Sequence, residues 1–430
     1  MDNKKITEKA LAALKRLGAQ EASASLVYKE VHELTLDEEG LSMLRTNWDN
    51  KLALEYIRDK KRGVTVGNQL DEASLSDSFE QCKNLCESGK SDEANTVAPF
   101  QAPRDMRFGK EEPDIDAMCK GLKEFSEAVR SRHPTVNLRD TTLLFISERK
   151  HYTNSNQTML DSFSSAYEFS CTFLSKKDGK TSSFNYSGLL TEDLSTPLFE
   201  QGMFKILLKE IEEQREPGKL DGSFEGDIIF TPPAVADFIS EVAFQLGDRA
   251  LISGSSVFKD KLGEAVAAPG FTFRYSTSAP ELCYKEFITG DGFANGDASV
   301  IENGVLKSFL LSLRGSIKTG KPRANNYGQG LVVDAGDRGF EELVKSVTKG
   351  ILLSRFSGDS ANDNGDFSGV AKNSYYIEDG KIKFPVSEVM VAGNLKNLLL
   401  NIGGISRERI NFGYQLLPWI KSSGFTVSGK

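Results

Sequence analysis

The sequence predicts an α+β fold with two domains, residues 1–220 and residues 221–430. The length of 430 residues is more than one ordinary hydrophobic core requires. Strand-like segments occur in runs between single helices, without the regular alternation of strand and helix that marks a parallel α/β sheet. Hydrophobic residues make up 39% of the chain and charged residues 27%, which is the balance of a globular protein. We therefore expect an N-terminal domain of helices with an antiparallel meander and a β-rich C-terminal domain.

The first unit of the N-terminal domain opens with an amphipathic helix. Ile6, Ala10, Leu14 and Leu17 recur at helical spacing, and Gly18 stands where a C-terminal cap is expected. Loosely alternating apolar residues predict strands over 25–37, 51–58 and 63–68, with a charged hairpin turn at 59–62. A helix over 72–86 is predicted to close the unit.

A polar segment over 87–113, rich in Ser, Pro and Lys, is predicted to be a linker. A similar pattern returns after it. The segment 115–130 is helical in pattern, strands are predicted over 143–149, 165–174 and 182–186, and 176–180 is a tight turn. A helix, a meander and a charged hairpin tip thus occur in both halves, so the N-terminal domain is consistent with a diverged internal duplication.

The C-terminal domain begins after a helix predicted over 197–213 and the turn Pro217-Gly218. A strand over 227–230 leads into a largely apolar helix that begins at Pro232-Pro233, because proline is favoured in a first helical turn. Short strands and glycine turns follow. They include hairpins at Glu302-Asn303-Gly304 and Glu378-Asp379-Gly380 and one further helix over 340–353.

Charge and composition exclude several classes of function. The formal net charge is -8 and no block of Lys and Arg stands out, so a nucleic-acid partner is not expected. The N-terminus runs straight into a helix and the longest apolar runs are too short to span a bilayer, so neither a signal peptide nor a membrane segment is expected. Five cysteines form no even disulfide framework, which favours a reducing cytoplasm.

Three histidines leave little from which to build a metal site. A zinc peptidase helix needs two imidazoles one turn apart, with a Glu that acts on the bound water. His32 is followed by Glu33 but by no second His at helical spacing. His133 precedes Pro134 at the end of a predicted helix, and His151 lies in a predicted strand. The sequence therefore predicts no metal site and no catalytic residue in this chain.

Two further segments imitate ligand-binding loops. The segment Gly315-Ser-Ile-Lys-Thr-Gly320-Lys321 lacks only the last residue of a phosphate-binding loop, which is Pro322 here and has no N–H to donate. The segment from Asp291 to Glu302 has the acidic ends of a calcium loop, but Phe293 stands at its third ligand position. We expect a solvated turn in the first case, and in the second a hairpin follows rather than a helix.

A series of glycine turns in the second domain resembles that of a known family. The segments that carry the resemblance are Gly254-Ser-Ser-Val-Phe258, Lys261-Leu-Gly263-Glu264, Gly290-Asp291-Gly292, Ile301-Glu-Asn-Gly304-Val-Leu-Lys307, Thr319-Gly320 with Asn325, Phe356-Ser357-Gly358, Gly365-Asp-Phe-Ser368-Gly369, Ile377-Glu-Asp-Gly380 and Gly393-Asn394-Leu395. Their order and spacing over 230–395 are similar to those of the TldD/PmbA (TldE) family, once called modulators of DNA gyrase. The helix-and-meander layout of the first half agrees with that family.

The resembled family has two kinds of subunit. The TldD kind holds a catalytic metal with an H-E-x-x-x-H helix and a late cysteine. The corresponding helix here, over 233–246, carries Asp237 and Glu241 but no His, and no cysteine follows Cys283. The resemblance is thus to the PmbA/TldE kind, which implies a partner subunit of a cytoplasmic metallopeptidase complex that degrades unstructured polypeptides or trims leader peptides. The metal, expected to be zinc, would belong to a TldD-like H-E-x-x-x-H paralogue.

Two other functions remain open. One is a homodimeric peptide-binding protein of the same family without proteolytic activity. The other, from a different class, is a modulator of a DNA topoisomerase, which the acidic balance of the chain opposes. A neighbouring gene that encodes H-E-x-x-x-H would favour the peptidase complex over the homodimer.

Peptide binding is expected at glycine-rich segments of the C-terminal domain, as the resemblance implies. The candidate substrate-binding residues are Asn325, Gly358, Asp366, Ser368, Gly369, Gly393 and Asn394. The segment 366–369 alternates along an extended stretch flanked by glycines, so we expect an uncovered strand edge there to which a peptide adds as a further strand. Replacing Gly369 with Val is expected to weaken peptide binding and to leave the fold mostly intact.

Overall fold

A computed structural model describes residues 3–37, 40–283 and 285–429 of the chain. These residues form two β-sheets with helices packed on them, which confirms the predicted α+β class. The helices are α1 Asn3–Arg16, α2 Glu72–Ser88, α3 Ile115–Arg132, α4 Phe204–Glu213, α5 Pro232–Leu246, α6 Asp248–Ser253, α7 Leu313–Thr319, α8 Phe340–Lys345 and α9 Leu395–Leu400. Of the helices in these three ranges, none is long and apolar enough to cross a membrane.

The strands divide between the sheets in chain order. The first sheet contains β1 Glu21–Leu36, β2 Leu41–Arg58, β3 Lys61–Gly67, β4 Arg104–Phe108, β5 Val136–Asn154, β6 Met159–Lys177, β7 Lys180–Thr181 and β8 Asn185–Thr191. The second contains β9 Ser223–Phe230, β10 Phe273–Tyr275, β11 Ala298–Glu302, β12 Val305–Leu306, β13 Leu331–Val333, β14 Lys349–Leu353, β15 Arg355–Gly358, β16 Asp366–Lys372, β17 Ser374–Glu378, β18 Lys381–Val386, β19 Val389–Asn394, β20 Ile402–Asn411 and β21 Gln415–Ser428.

The first sheet carries a layer of helices on one of its faces. Its order is β3-β2-β1-β5-β6-β4, and β4 runs parallel to β6 whereas the other pairs are antiparallel. Leu26 is buried in a cluster with residues of α1 and α2, and Leu34 is buried in a cluster with residues of α3. Because side chains alternate along a strand, Leu26 and Leu34 point to the same face. The opposite face is left to meet the second domain.

The second sheet is organised around β9 and β21. Strand β21 pairs with β9, β13, β19 and β20, and β9 lies between β21 and β14. Ile228 and Ile229 of β9 are fully buried. The two predicted hairpins are present, since β11 pairs with β12 and β17 with β18. Asn303 and Asp379 at their turns have φ angles of 49° and 50°, a conformation that Asn and Asp tolerate better than most residues.

The helix predicted over 340–353 is wrong in its second half. Helix α8 ends at Lys345, and the apolar run that follows is strand β14. This strand pairs in parallel with β9 and antiparallel with β17, and its residues 350–353 are all buried, so both of its faces are covered. A short, fully buried strand has no alternation of apolar and polar residues, and periodicity alone does not distinguish it from a helix.

The segment 87–113, predicted as a linker, contains strand β4 and ties the two domains together. Ala98 is fully buried. The side chain of Gln101 donates a hydrogen bond to the Gly292 carbonyl oxygen at 2.9 Å and accepts one from the Ala294 N–H at 2.9 Å. A helix followed by two long strands occurs both before and after this segment, whereas the duplication itself stays a prediction.

Helix α4 buries a carboxyl group. The Oε2 atom of Glu210 is inaccessible and has no hydrogen-bond partner among the described residues. Burial, together with the charge of Glu213, raises the pKa of Glu210 from 4.5 to about 8. Between pH 4.5 and about pH 8 the folded protein therefore binds more protons at this site than the unfolded chain does. Its free energy of unfolding consequently falls as the pH rises through this window.

We expect Glu210→Gln to remove most of the fall in the free energy of unfolding between pH 4.5 and about pH 8, because an amide does not ionise. The variant should be more stable than the unchanged protein at the alkaline end of the window. Urea unfolding at several pH values measures the effect. Glu127→Gln, at an exposed position of α3, is the control and should retain the full pH dependence. If Glu210→Gln also retains it, another group is responsible.

Candidate functional site

Helix α5 directs three polar side chains toward two cavities that adjoin it. The pair Pro232-Pro233 occupies its first turn, where a missing N–H breaks no helical hydrogen bond. One side of the helix is apolar and packs on β21 and β9. Asp237, Ser240 and Glu241 are three and four residues apart, so they share another side, and they line cavities there.

Two neighbouring cavities adjoin this side of α5, and Ser240 lines both of them. The intersheet cavity, of about 450 Å³, is bounded by β5 and β6 of the first sheet and by β10, β13 and β21 of the second. The α5–β15 cavity, of about 390 Å³, lies between α5 and strands β15 and β16. Cavities of this size hold a small organic ligand or a few residues of an extended peptide.

The intersheet cavity carries charges of both signs. Lys29 and Glu168 come from the first sheet, and Lys285 comes from the second domain. Lys285 is only 6% exposed, and its Nζ donates a hydrogen bond to the Ala279 carbonyl oxygen at 2.8 Å. Burial lowers the pKa of Lys285. These groups can donate to and accept from a ligand with both kinds of polar atom, as a peptide backbone has.

Cys283 and Tyr275 line the same cavity in their neutral forms. Burial raises the pKa of the Cys283 thiol to about 12. Burial likewise raises the pKa of Tyr275 to about 12. A thiol is a good nucleophile or metal ligand only as the thiolate, so Cys283 is poorly suited to either role at neutral pH.

Both carboxylates of α5 interact with groups on or just after β15. Shielding from solvent raises the pKa of Asp237, and the positive charge of Arg355 opposes that shift. The Glu241 carboxylate accepts hydrogen bonds from the Ser360 hydroxyl at 3.1 Å and from the Ala361 N–H at 3.3 Å. The segment that follows β15 is thereby held against α5.

Arg355 connects this site to the first domain. Its guanidinium group lies over the rings of Phe184 and Tyr186, at 4.8 Å and 5.4 Å from the ring centroids. It also donates a hydrogen bond to the Phe184 carbonyl oxygen at 3.4 Å. Tyr186 lines the α5–β15 cavity, so this cavity, too, has walls from both domains. Cation–π contacts of this kind contribute on the order of 0.5–1 kcal/mol at exposed sites.

The donor set on α5 does not fit a zinc ion. Zinc sites in proteins combine imidazole, thiolate and carboxylate ligands. Here the positive charge of Arg355 lies near Asp237, and Glu241 already accepts hydrogen bonds from two donors. The Cys283 thiol of the adjoining cavity is protonated. Over residues 3–37, 40–283 and 285–429, no three His, Cys, Asp or Glu side chains are grouped so as to hold a metal ion. We therefore derive no metal-dependent step on this helix.

Comparison with known proteins identifies the family. Residues 223–429 match the family model described as the PmbA/TldA metallopeptidase C-terminal domain. The metalloprotease PmbA homologue of Haemophilus influenzae is 23% identical over 396 residues, which cover 87% of this chain and 86% of that protein. The chain is a member of the TldD/PmbA family. The predicted family is thus confirmed.

Solved structures extend this likeness to the whole fold. The crystal structure of TldE from Thermococcus kodakarensis has a TM-score of 0.83 at 18% identity and covers 98% of this chain and 99% of its own. A Bacteroides thetaiotaomicron protein described as a candidate modulator of DNA gyrase has a TM-score of 0.86 at 20% identity and covers 100% of both chains. These two proteins therefore share the fold of this chain over nearly its whole length.

The uncovered edge predicted at 366–369 is partly covered. Strand β16 pairs with β19 over 366–371 but with β15 only over 369–372, and the Asn362 N–H donates a hydrogen bond to the Asp366 carbonyl oxygen at 3.0 Å. Phe367 lines the α5–β15 cavity, so its neighbours Asp366 and Ser368 point to the opposite face of the sheet. Neither side chain reaches the cavity. Peptide binding by these two residues stays a prediction.

Asn394 caps the N-terminus of helix α9 and is hydrogen-bonded to Asp366. The Oδ1 atom of Asn394 accepts a hydrogen bond from the Lys396 N–H at 3.1 Å, as the N-cap of α9. Its Nδ2 donates to Asp366 Oδ1 at 2.7 Å. The pair of side chains therefore joins the start of β16 to the start of α9.

The predicted glycines lie where side chains have little space. A Cβ atom on Gly369 would lie 2.5 Å from Phe356 Cζ and 2.7 Å from the Cα of its strand partner Gly358. A Cβ atom on Gly393 would lie 2.7 Å from Phe425 Cδ1. Of the seven predicted residues, Gly358 alone lines one of the two cavities, and Asn325 is exposed in the loop after α7.

The first acidic residue of the segment that imitates a calcium loop, Asp291, forms an ion pair with Arg323. Arg323 donates hydrogen bonds to the Asp291 carboxylate from Nε at 2.8 Å and from Nη2 at 2.7 Å. The Leu313 N–H donates to the same carboxylate at 2.8 Å. The Arg323 guanidinium group also lies 3.7 Å from the centroid of the Phe293 ring. Arg323 therefore neutralises the first acidic residue of the segment.

The segment that imitates a phosphate-binding loop is helical. The expected solvated turn over 315–321 is wrong, because residues up to Thr319 belong to α7. Gly320, at φ 67°, caps this helix in the left-handed conformation, and its N–H bonds to the Ser316 carbonyl oxygen. The glycine that imitates part of a phosphate-binding motif is thus a helix terminator.

Sequence patterns do not single out Ser240, Arg355 or Lys285 as site residues. These residues are distant in sequence. Arg355 adjoins the α5–β15 cavity because β15 follows β14, the neighbour of β9, and Lys285 adjoins the intersheet cavity from the segment between β10 and β11. A local signal exists only for Ser240, which shares a helix side with Asp237 and Glu241.

Gly369→Val is expected to destabilise the protein, contrary to the expectation from sequence. The new side chain would meet Phe356 and the backbone of β15, and overpacking of this kind costs about 1–3 kcal/mol. Ser368→Val is the matched control, since it adds a branched side chain at the next, exposed position of the same strand. Urea unfolding compares the two variants. Equal stability would mean that β15 and β16 separate without cost.

Proposed function

We propose that this chain is the subunit without a metal site in a two-subunit metallopeptidase of the TldD/TldE type. In that complex it holds an extended, unfolded or leader peptide beside the active site of its partner. The observation that carries the proposal is the side of α5 that adjoins the two cavities. It presents Asp237, Ser240 and Glu241, with Arg355 opposite, where the family resemblance leads us to expect imidazoles in a catalytic subunit.

The catalytic metal is assigned to the partner. A TldD-like paralogue with H-E-x-x-x-H would supply the zinc ion and the groups that act on bound water. The names of the relatives support a peptidase, since the Haemophilus influenzae protein is a metalloprotease PmbA homologue and the Thermococcus kodakarensis structure is a TldE. A net charge of -8 favours this function over contact with DNA.

An extended peptide fits the cavities through its backbone. Strand β15 borders the α5–β15 cavity and, among the strands described, pairs with β16 alone, so its second edge is open. A peptide strand added there would gain hydrogen bonds that contribute about 0.5–1.5 kcal/mol each. Such bonds do not depend on the peptide's side chains, which suits substrates of varied sequence. β15 thus replaces β16 as the proposed docking strand.

The chain alone is expected not to cleave casein or a leader-type peptide. Addition of a TldD-like H-E-x-x-x-H paralogue should produce cleavage, and a metal chelator should abolish it. Mass spectrometry of the peptide products measures both. Cleavage by the lone chain in the presence of chelator would contradict the proposal. If the chain binds peptide but no paralogue confers cleavage, the homodimeric peptide-binding function replaces it.

Ser240→Trp tests whether the peptide occupies the cavities. The indole would fill space at the junction of the two cavities, so we expect the affinity of the complex for an extended peptide to fall about tenfold or more. Ser131→Trp is the matched control, because Ser131 is also an exposed helical serine whose hydroxyl bonds to the preceding turn. Fluorescence anisotropy of a labelled peptide measures the affinity, and thermal unfolding checks the fold.

If Ser240→Trp binds the peptide as tightly as Ser131→Trp does, the peptide lies elsewhere. The cleavage experiment does not depend on this result. If the complex with Ser240→Trp cleaves peptide normally, the chain is still a partner subunit, but the two cavities do not hold the peptide.

A further inference from the structure

The outer half of β2 has an open edge. Strand β3 pairs with residues 52–58 of β2, and no strand in the described ranges pairs with residues 41–51 on that side. This stretch also has exposed apolar side chains on an otherwise polar hairpin. The exposed fractions are 62% for Trp48, 54% for Leu44 and 36% for Met43.

Proteins usually protect an edge of this kind. Proline, lysine, a bulge or a covering loop prevents another chain from pairing with the free N–H and C=O groups. The open stretch, Leu41-Ser-Met-Leu-Arg-Thr-Asn-Trp-Asp-Asn-Lys51, contains no proline and has its one lysine at the inner end, and its pairing with β1 is regular from Met43 onward. Every second residue of the stretch directs its backbone polar groups to the open side.

We propose that a second copy of this chain pairs with this edge, antiparallel and centred on Asn47, so that the first sheet continues across a two-fold axis. This interaction is independent of the peptidase function. A two-fold axis perpendicular to the sheet requires one residue at its centre, because residues that face each other across paired strands must point to the same face.

Charge favours this register over its symmetric neighbours, since a centre at Thr46 would place Arg45 opposite the uncharged Asn47. With Asn47 at the centre, Arg45 of each chain lies opposite Asp49 of the other, which forms two ion pairs. A centre at Trp48 would place Arg45 opposite Lys51, and a centre at Arg45 would place it opposite itself. Like charges directly opposite each other destabilise a strand pair. Arg45 donates to Glu33 of its own chain from Nε, and its side chain is 54% exposed, so its other N–H groups are available.

The other face of the pair is apolar in the same register. Trp48 would lie opposite Thr46 and diagonal to Leu44 and Trp48 of the second copy. Diagonal neighbours are about 7–8 Å apart, within reach of aromatic side chains. The register that forms both ion pairs thus also covers the two most exposed apolar residues of the hairpin.

A charge swap tests the register. Sedimentation velocity of the full chain should show a dimer whose dissociation constant rises about tenfold in Arg45→Asp and in Asp49→Arg. The double variant should return to within about threefold of the unchanged protein. Inside one chain, Arg45 lies opposite Glu33 and Asp49 opposite Lys29, and the double variant repairs neither contact. Recovery can therefore come only from pairing between copies.

Cysteine cross-linking gives a second, independent measurement. Asn47→Cys places two thiols opposite each other at the proposed axis, so a short thiol cross-linker should produce a covalent dimer. Ser42→Cys, exposed on the same strand, is the matched control and should give none. Native cysteines are buried or half-buried, and the unchanged protein measures their background.

Three results would overturn the proposal. The unchanged protein could sediment as a monomer at high concentration, the double variant could fail to recover, or Ser42→Cys could cross-link as well as Asn47→Cys. A chain that is monomeric alone but loses a TldD-like partner on Trp48→Ser would assign the edge to that partner instead. None of these results bears on whether the cavities hold peptide, which the Ser240→Trp experiment decides separately.

Discussion

The two cavities beside α5 depend on the pairing of β9 with its two neighbours. Ile228 and Ile229 are excluded from water between β21 and β14, and burying each contributes about 1.5–3 kcal/mol. Helix α5 follows β9 at once, and the N–H of Thr231 is held by the Leu353 carbonyl oxygen at 3.0 Å. Because β14 continues almost directly into β15, the same pairing brings Arg355 near Asp237. One buried strand thereby places both walls of the α5–β15 cavity.

The charges at these walls decide which ligands are compatible with them. A divalent metal ion near Asp237 would be repelled by Arg355, and it would have to displace the hydrogen bonds that Ser360 and Ala361 make to Glu241. A peptide backbone is neutral and has its own donors and acceptors, so Arg355 does not repel it and the hydrogen bonds to Glu241 can remain. Cys283 and Tyr275 in the adjoining cavity are neutral, so they too are better suited to a peptide backbone than to a metal ion.

Features encoded in neighbouring residues could be predicted from the sequence, and those that depend on distant pairing could not. The turns at Asn303-Gly304 and Asp379-Gly380 were predictable because their residues tolerate positive φ angles, which are observed there. The run over 349–353 does not distinguish a helix from a strand, because a strand that is buried on both faces lacks alternation. Whether β16 has a free edge depends on β15 and β19, which no local pattern reveals. The candidate site at Ser240, Arg355 and Lys285 was missed for the same reason.

The two faces of β2 would have separate roles in a dimer of this chain. One face adjoins the intersheet cavity, and the other would make the apolar contact between the copies. Lys29 and Asp49 lie opposite each other in the β1–β2 pair, so Asp49 points to the face whose inner part lines the intersheet cavity. A strand added at the open edge would extend that polar face next to the cavity. Trp48 points to the other face, so the apolar contact between copies would stay away from bound peptide. A second chain could then restrict access to the intersheet cavity from one side while leaving its lining unchanged.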